Sequence, residues 1–171
     1  SVFKRMQTEK DCFLLESIGQ NHVTARFSFI GRNPFISFKS LNDEITISDY
    51  TGKTNTYKGK PMEELEKLIE KYKAPKLENI PSFNGGAVGF FAYDIIRQYE
   101  HLPNINQDDL HLPDMHFMLM DEIIAFDHMR QKIVIIVNIH AEGDIENQYK
   151  KATGRLLDIQ QEMTDISGLM K

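Results

Sequence analysis

The sequence predicts an α+β fold built mainly on antiparallel sheet. Three observations carry that expectation. Apolar and polar residues alternate with a period of two through much of the first sixty positions. The two long stretches with helical periodicity each follow a group of strands instead of alternating with single ones. The apolar runs "MHFMLMDEIIAFDHM" and "KIVIIVNI" flank a short polar turn near "HMRQK", as the arms of a hairpin do.

Taken in chain order, "SVF" at the start has the look of a strand. "CFLLES" is an apolar run that ends in Glu16 and Ser17 just before Gly19. "ARFSFIG" sets Arg26 and Ser28 on one face and Phe27 and Phe29 on the other. "FISFKS" and "EITISDYTG" continue the alternation, with Gly31, Asn33-Pro34 and Asn42-Asp43 as the turns between runs. "KPMEELEKLIEKYK" is an amphipathic helix opened by Pro61, its stripe made by Met62, Leu65, Leu68, Ile69 and Tyr72. Residues 74–84 carry two prolines and read as a surface crossing. "GGAVGFF" suits a tightly packed strand or turn, "DIIRQYEHLP" a short helix closed by Pro103, and "NINQDDLHLPD" a loop. After the two hairpin runs, Ile145, Tyr149, Ala152, Leu156, Ile159 and Met163 recur at spacings of four and three. They predict one long helix whose narrow apolar seam needs a partner, and both termini suggest a piece of a longer protein.

Bulk properties exclude several classes. Over 171 residues, 41% hydrophobic and 26% charged composition supports a packed core. Net charge is −5 and the Lys and Arg residues are scattered, which argues against nucleic acid as a partner. The single Cys12 cannot form an internal disulfide and fits a reducing, cytoplasmic setting. No run approaches the roughly 20 apolar residues of a membrane span, and "SVFKRMQTEK" does not resemble a signal peptide, so no membrane partner is expected.

Most candidate motifs have a plain structural explanation. Gly85, Gly86 and Gly89 fit neither G-x-G-x-x-G nor a P-loop, and read as close backbone packing. His101, His111 and His116 lie near Asp108, Asp109 and Asp114 without metal-ligand spacing. No serine sits in a nucleophile elbow, Cys12 has no adjacent base, and the neighbouring acids Glu63-Glu64 and Asp121-Glu122 diverge on regular structure. No catalytic or metal-binding constellation emerges. What stays open is Glu16-Ser17 at a strand end, with Arg26 and Ser28 nearby in sequence. A buried hydroxyl left unmet costs about 1–3 kcal/mol. These groups are therefore either solvated or met by a backbone amide, by Arg26, or by a ligand ammonium.

Five segments together carry more than any one alone. "FLLES", "ARFSFIGRNP", "GGAVGFFAYDIIRQYEHLP", "LPDMHFML" and "DEIIAFDH", in this order, resemble the N-terminal region of anthranilate synthase component I. The resemblance covers nearly the whole chain. It implies a parent enzyme that converts chorismate to anthranilate and pyruvate with Mg²⁺ and ammonia, the ammonia being released from glutamine by a separate glutamine amidotransferase subunit, component II. It places chorismate, Mg²⁺ and the catalytic groups in a C-terminal chorismate-binding region, and gives the N-terminal region no cofactor or catalysis of its own. Residues 1–141 would be the regulatory region and 142–171 a helix leading toward that C-terminal partner region.

The resemblance also implies an allosteric pocket for L-tryptophan. The family's "LLES" motif falls on Leu14, Leu15, Glu16 and Ser17, and its Arg-aromatic-Ser-Phe motif on Arg26, Phe27, Ser28 and Phe29. In that reading Leu15 lines an apolar slot for indole, Glu16 balances the ammonium, and Ser17 bonds either end group. Arg26 or Ser28 serves the carboxylate, with Met115 and His116 as pocket neighbours. Two alternatives stand beside it: the N-terminal region of aminodeoxychorismate synthase component I, and a stand-alone ligand-binding or interaction module. The "LLES" and "RFSFIG" motifs favour the anthranilate enzyme.

Overall fold

The computed structural model describes residues 3–4, 11–16, 26–103 and 110–168, with side chains to 165. Its strands are β1 (Cys12–Glu16), β2 (Phe27–Arg32), β3 (Ile36–Leu41), β4 (Glu44–Asp49), β5 (Thr54–Lys58), β6 (Gly86–Phe91), β7 (Met115–Met120), β8 (Glu122–Asp127) and β9 (Lys132–Val137). Helix α1 (Pro61–Lys71) and a 3₁₀ helix (Tyr93–Gln98) precede β7, and α2 (Ile145–Gly168) follows β9. Two compact units result. One draws on Ser1–Pro34, Tyr72–Gly86 and Met120–Lys171, the other on Phe35–Lys71 and Ala87–Leu119.

In the first unit a four-stranded sheet runs β1-β2-β8-β9, each neighbouring pair antiparallel. Its register aligns Leu14 with Ile30, Ile30 with Ile124 and Ile124 with Ile135, so one face carries a continuous aliphatic band. Helix α2 lays Ile159 and Met163 on that band. Fully burying a side chain of this size stabilises by about 1.5–3 kcal/mol. The seam read from the sequence thus finds its partner within the chain at Ile159 and Met163, whereas Ile145 and Tyr149 stay exposed. Two ion pairs fix the helix to the sheet: Arg155 grips Glu122 through Nε at 2.6 Å and Nη2 at 2.9 Å, and Arg32 meets Glu162. On the opposite face Phe83 packs edge-on against Phe13 and Phe29, with centroids 6.2 and 5.3 Å away.

The second unit holds a five-stranded sheet in the order β5-β4-β3-β7-β6. Its core joins Phe38, Ile45, Met115 and Phe117 to Leu65 of α1, with Met62 and Leu68 alongside. Helix α1 starts on Pro61, carries Glu63 and Glu64 in its first turn and Lys71 in its last, matching the helix dipole at both ends. Gly89 shows why β6 needs glycine: a Cβ there would stand 2.0 Å from the His116 carbonyl oxygen. Gly86 has φ +114°, a conformation closed to other residues.

Four details differ from the sequence reading. "MHFMLMDEIIAFDHM" is two strands in different sheets, because the chain changes sheet at Asp121. The apolar pattern is nearly uninterrupted there, so only the acidic pair marks the break. Burial, and secondarily Glu122, push the Asp121 carboxyl above its usual range. β5 forms an additional edge strand from polar residues; only Tyr57 joins the core, while Thr56 and Thr54 bond across to Thr46 and Ser48 at 3.2 and 2.9 Å. The "DIIRQ" helix is 3₁₀ and begins at Tyr93. Phe3 and Lys4 are helical, not strand.

Candidate functional site

The strand end singled out in the sequence is a structural edge. β1 is the outer strand of the first sheet, and its register sets Glu16 opposite Ser28 and Leu15 opposite Phe29. Directly paired residues share a face, so Glu16 and Ser28 stand together on the side of Leu14 and Ile30. Leu15 turns to the other side, with Phe29, and is 45% exposed. Among the described residues no strand pairs with the outer edge of β1. Ser17 lies outside the described residues.

Ser28 is only 6% exposed, and its hydroxyl has a specific partner: the Nε2 of His128 at 2.7 Å. His128 follows β8 directly and is held by its backbone N–H, which donates to the Arg26 carbonyl at 2.9 Å. One residue earlier, Asp127 is 5% exposed and receives Arg26 through Nε at 3.1 Å and Nη2 at 2.6 Å. The Arg130 N–H adds a third donor to that carboxylate at 3.0 Å. The Arg26 hydrogen bonds are the main reason the Asp127 carboxyl is held down at about 2, and the same contact raises the Arg26 guanidinium. Both partners are therefore charged at neutral pH.

The Arg26 side chain does not follow the alternation of β2. Alternation places it on the Ser28 face, but Arg26 precedes β2 and its long side chain follows the buried carboxylate. Asp127 stands opposite Phe27, and the Arg26 guanidinium lies 4.7 Å from the Phe27 ring centroid. Its Nε–Nη2 fork is thus committed to a partner within the chain, on the Phe27 side. A hollow of about 630 Å³ opens there, lined by Arg26, Phe27, Pro81, Asp127, Arg130 and Lys132.

Met115 and His116 belong to the second unit. Met115 is fully buried in that unit's core. His116 reaches Ser37 Oγ with Nε2 at 3.3 Å and packs edge-on against Phe90. His101 and His111 are exposed, and Asp108 and Asp109 lie outside the described residues. Among the described residues no group of three or more His, Cys, Asp or Glu side chains is placed to hold a metal ion. Among the described residues no helix is long and apolar enough to cross a membrane. Asp127 and His128 stand beside Arg26 and Ser28 without being singled out by the sequence. The available signal was the "FDH" that ends an apolar strand in polar groups, as "LLES" does.

A family described as chorismate binding enzyme matches residues 10–167. The chain belongs to this family. Among its relatives, anthranilate synthase component 1 of Acetivibrio thermocellus is 45% identical over 165 residues, covering 96% of this chain and 33% of that protein. The Saccharomyces cerevisiae anthranilate synthase component 1 is 37% identical over 163 residues, covering 92% and 30%. The crystal structure of anthranilate synthase component I from Streptococcus pneumoniae superposes with TM-score 0.62 at 29% identity, covering 93% of this chain and 34% of that one. The chain therefore spans about a third of the length of the curated relatives it matches, and the α+β architecture expected for this chorismate binding family is the one observed.

Proposed function

We propose that this chain is the N-terminal, regulatory region of an anthranilate synthase component I. The longer enzyme would act in the cytoplasm, converting chorismate and ammonia to anthranilate and pyruvate, with a component II subunit releasing the ammonia from glutamine. Chorismate, Mg²⁺ and catalysis fall to the remainder of that enzyme. The role of this region is to bind L-tryptophan and to couple its binding to the chorismate-binding region.

The observation that carries this reading is the Glu16–Ser28 pair: a carboxylate on the outer strand and a buried hydroxyl directly across from it on β2. An amino-acid zwitterion needs an acceptor for its ammonium and a donor for its carboxylate, and this pair offers both. In this reading Leu15 lies toward the indole, and the family's "LLES" motif adds Ser17. Arg26 supports the site through Asp127 and need not touch the ligand. Met115, buried in the second core, is not asked to contact it. Inhibition follows if tryptophan binds better to the arrangement of the enzyme that disfavours chorismate.

The test is inhibition of the full-length enzyme, each variant referred to its own uninhibited rate. Glu16→Lys places a cation where the ammonium sits and is expected to raise the tryptophan inhibition constant by about tenfold or more, given the worth of a hydrogen bond to a charged group. An unchanged inhibition constant would reject the site. Identifying the product as anthranilate, and not aminodeoxychorismate, separates this reading from the para-aminobenzoate branch.

A further inference from the structure

We infer that His128 is a positioning residue of the amino-acid site, deciding whether the Ser28 hydroxyl offers a ligand its proton or a lone pair. The inference rests on the tryptophan-site reading given above and goes beyond it to the polarity of one group. A serine hydroxyl has one proton and two lone pairs. Ser28 is buried, and its partner at 2.7 Å is His128 Nε2, so the ring's proton distribution fixes what remains for a ligand. When Nε2 carries a hydrogen, it donates to Ser28 Oγ and leaves the serine proton available to a carboxylate. When Nε2 is bare, the serine proton is consumed and only lone pairs face outward, as an ammonium would need.

Glu16, directly across from Ser28, is already an acceptor for an ammonium. The complementary state is therefore Nε2–H on His128, with Ser28 donating to the ligand carboxylate. The two ends of one zwitterion then meet two adjacent side chains of a cross-strand pair. The turn that carries the exposed His128 is fixed at its backbone. His128 N–H is bonded to the Arg26 carbonyl, and Asp127, next to it, is gripped by the Arg26 side chain and by the Arg130 N–H. Arg26, which the sequence offered as a ligand group, acts here one step back.

The experiment is a double-mutant cycle on tryptophan inhibition of the full-length enzyme, using Ser28→Ala, His128→Phe and their combination, with tryptamine as a second inhibitor that lacks the carboxylate. His128→Phe is expected to weaken tryptophan inhibition by about tenfold in the native background, a hydrogen bond to a charged group, and by no more than about twofold once Ser28 is alanine. Any inhibition by tryptamine should be insensitive to His128→Phe. His128→Gln, which keeps an N–H donor and a polar surface at this exposed position, should recover part of the lost tryptophan inhibition. Independent, multiplying effects of the two substitutions, or equal losses for tryptophan and tryptamine, would overturn the inference. If Ser28→Ala weakens inhibition and both His128 variants do not, the inference fails and the site stands. If neither Ser28→Ala nor Glu16→Lys alters inhibition, the site itself fails.

Discussion

Each unit is an antiparallel sheet with a helix laid on one face, but the two use charge differently. In the first, three ion pairs join segments far apart in the chain, Arg26 with buried Asp127, Arg155 with Glu122 and Arg32 with Glu162, beside the local, exposed Lys150–Glu146. In the second, Lys60–Glu63, Lys67–Glu64 and Arg97–Asp94 are local pairs three residues apart, and Lys58–Asp43 is largely exposed. Exposed pairs contribute little because water and salt screen them. A carboxylate taken out of water must be met by fixed donors, and those donors then hold its surroundings in one geometry. Apolar packing dominates the second unit; the first also fixes polar groups at one end of a sheet, where a recognition site needs them.

That contrast can be broken in four places. The largest effect is expected in the second core, where Phe38→Ala empties the centre of the sheet–helix contact and should cost about 3–5 kcal/mol in denaturant unfolding. Ile159→Ala, which removes the anchor of α2 on the first sheet, should cost about 2–5 kcal/mol and lower amide-exchange protection in β2 and β8 before β3 and β7. Equal loss of protection in both sheets would contradict the division into units.

Asp127→Asn tests the buried charge by its pH dependence. The folded carboxyl sits at about 2 against an ordinary 3.8. A folded value below the unfolded one means the contribution is complete above about 3.8 and is lost as pH falls toward 2. The native protein should therefore lose stability relative to Asp127→Asn across that acid window, and parallel acid-melting curves would show that Arg26 does not hold the carboxylate. The smallest effect is expected from Lys58→Gln, whose ion pair with Asp43 faces solvent: a change of at most about 0.5 kcal/mol. A larger loss there would mean that the second unit too depends on its surface charge.

Much of the fold was legible because alternation and amphipathic stripes record burial directly. "ARFSFIG" became β2, "KPMEELEKLIEKYK" became α1, and the last seam placed Ile159 and Met163 against a sheet. The break at Asp121 was hidden because strands on either side are both apolar, and β5 was hidden because an edge strand buries little. Of the candidate residues, Glu16 stood out as a polar group at a strand end and Ser28 as a polar position within an alternating strand. Asp127 and His128 did not, although they close the same corner.

The sequence by itself determined the fold class, the family through its ordered motifs, and several inward-facing residues, Leu65, Ile159 and Met163 among them, since all of these are local patterns of residue type. Only the tertiary structure decided that Glu16 faces Ser28, that Arg26 turns to Asp127, and that a histidine 100 positions along the chain meets the Ser28 hydroxyl. Those pairings are set by strand register and by which distant strands close into one sheet. Periodicity along the chain reports whether a side chain is buried, and carries no information about which side chain it meets there.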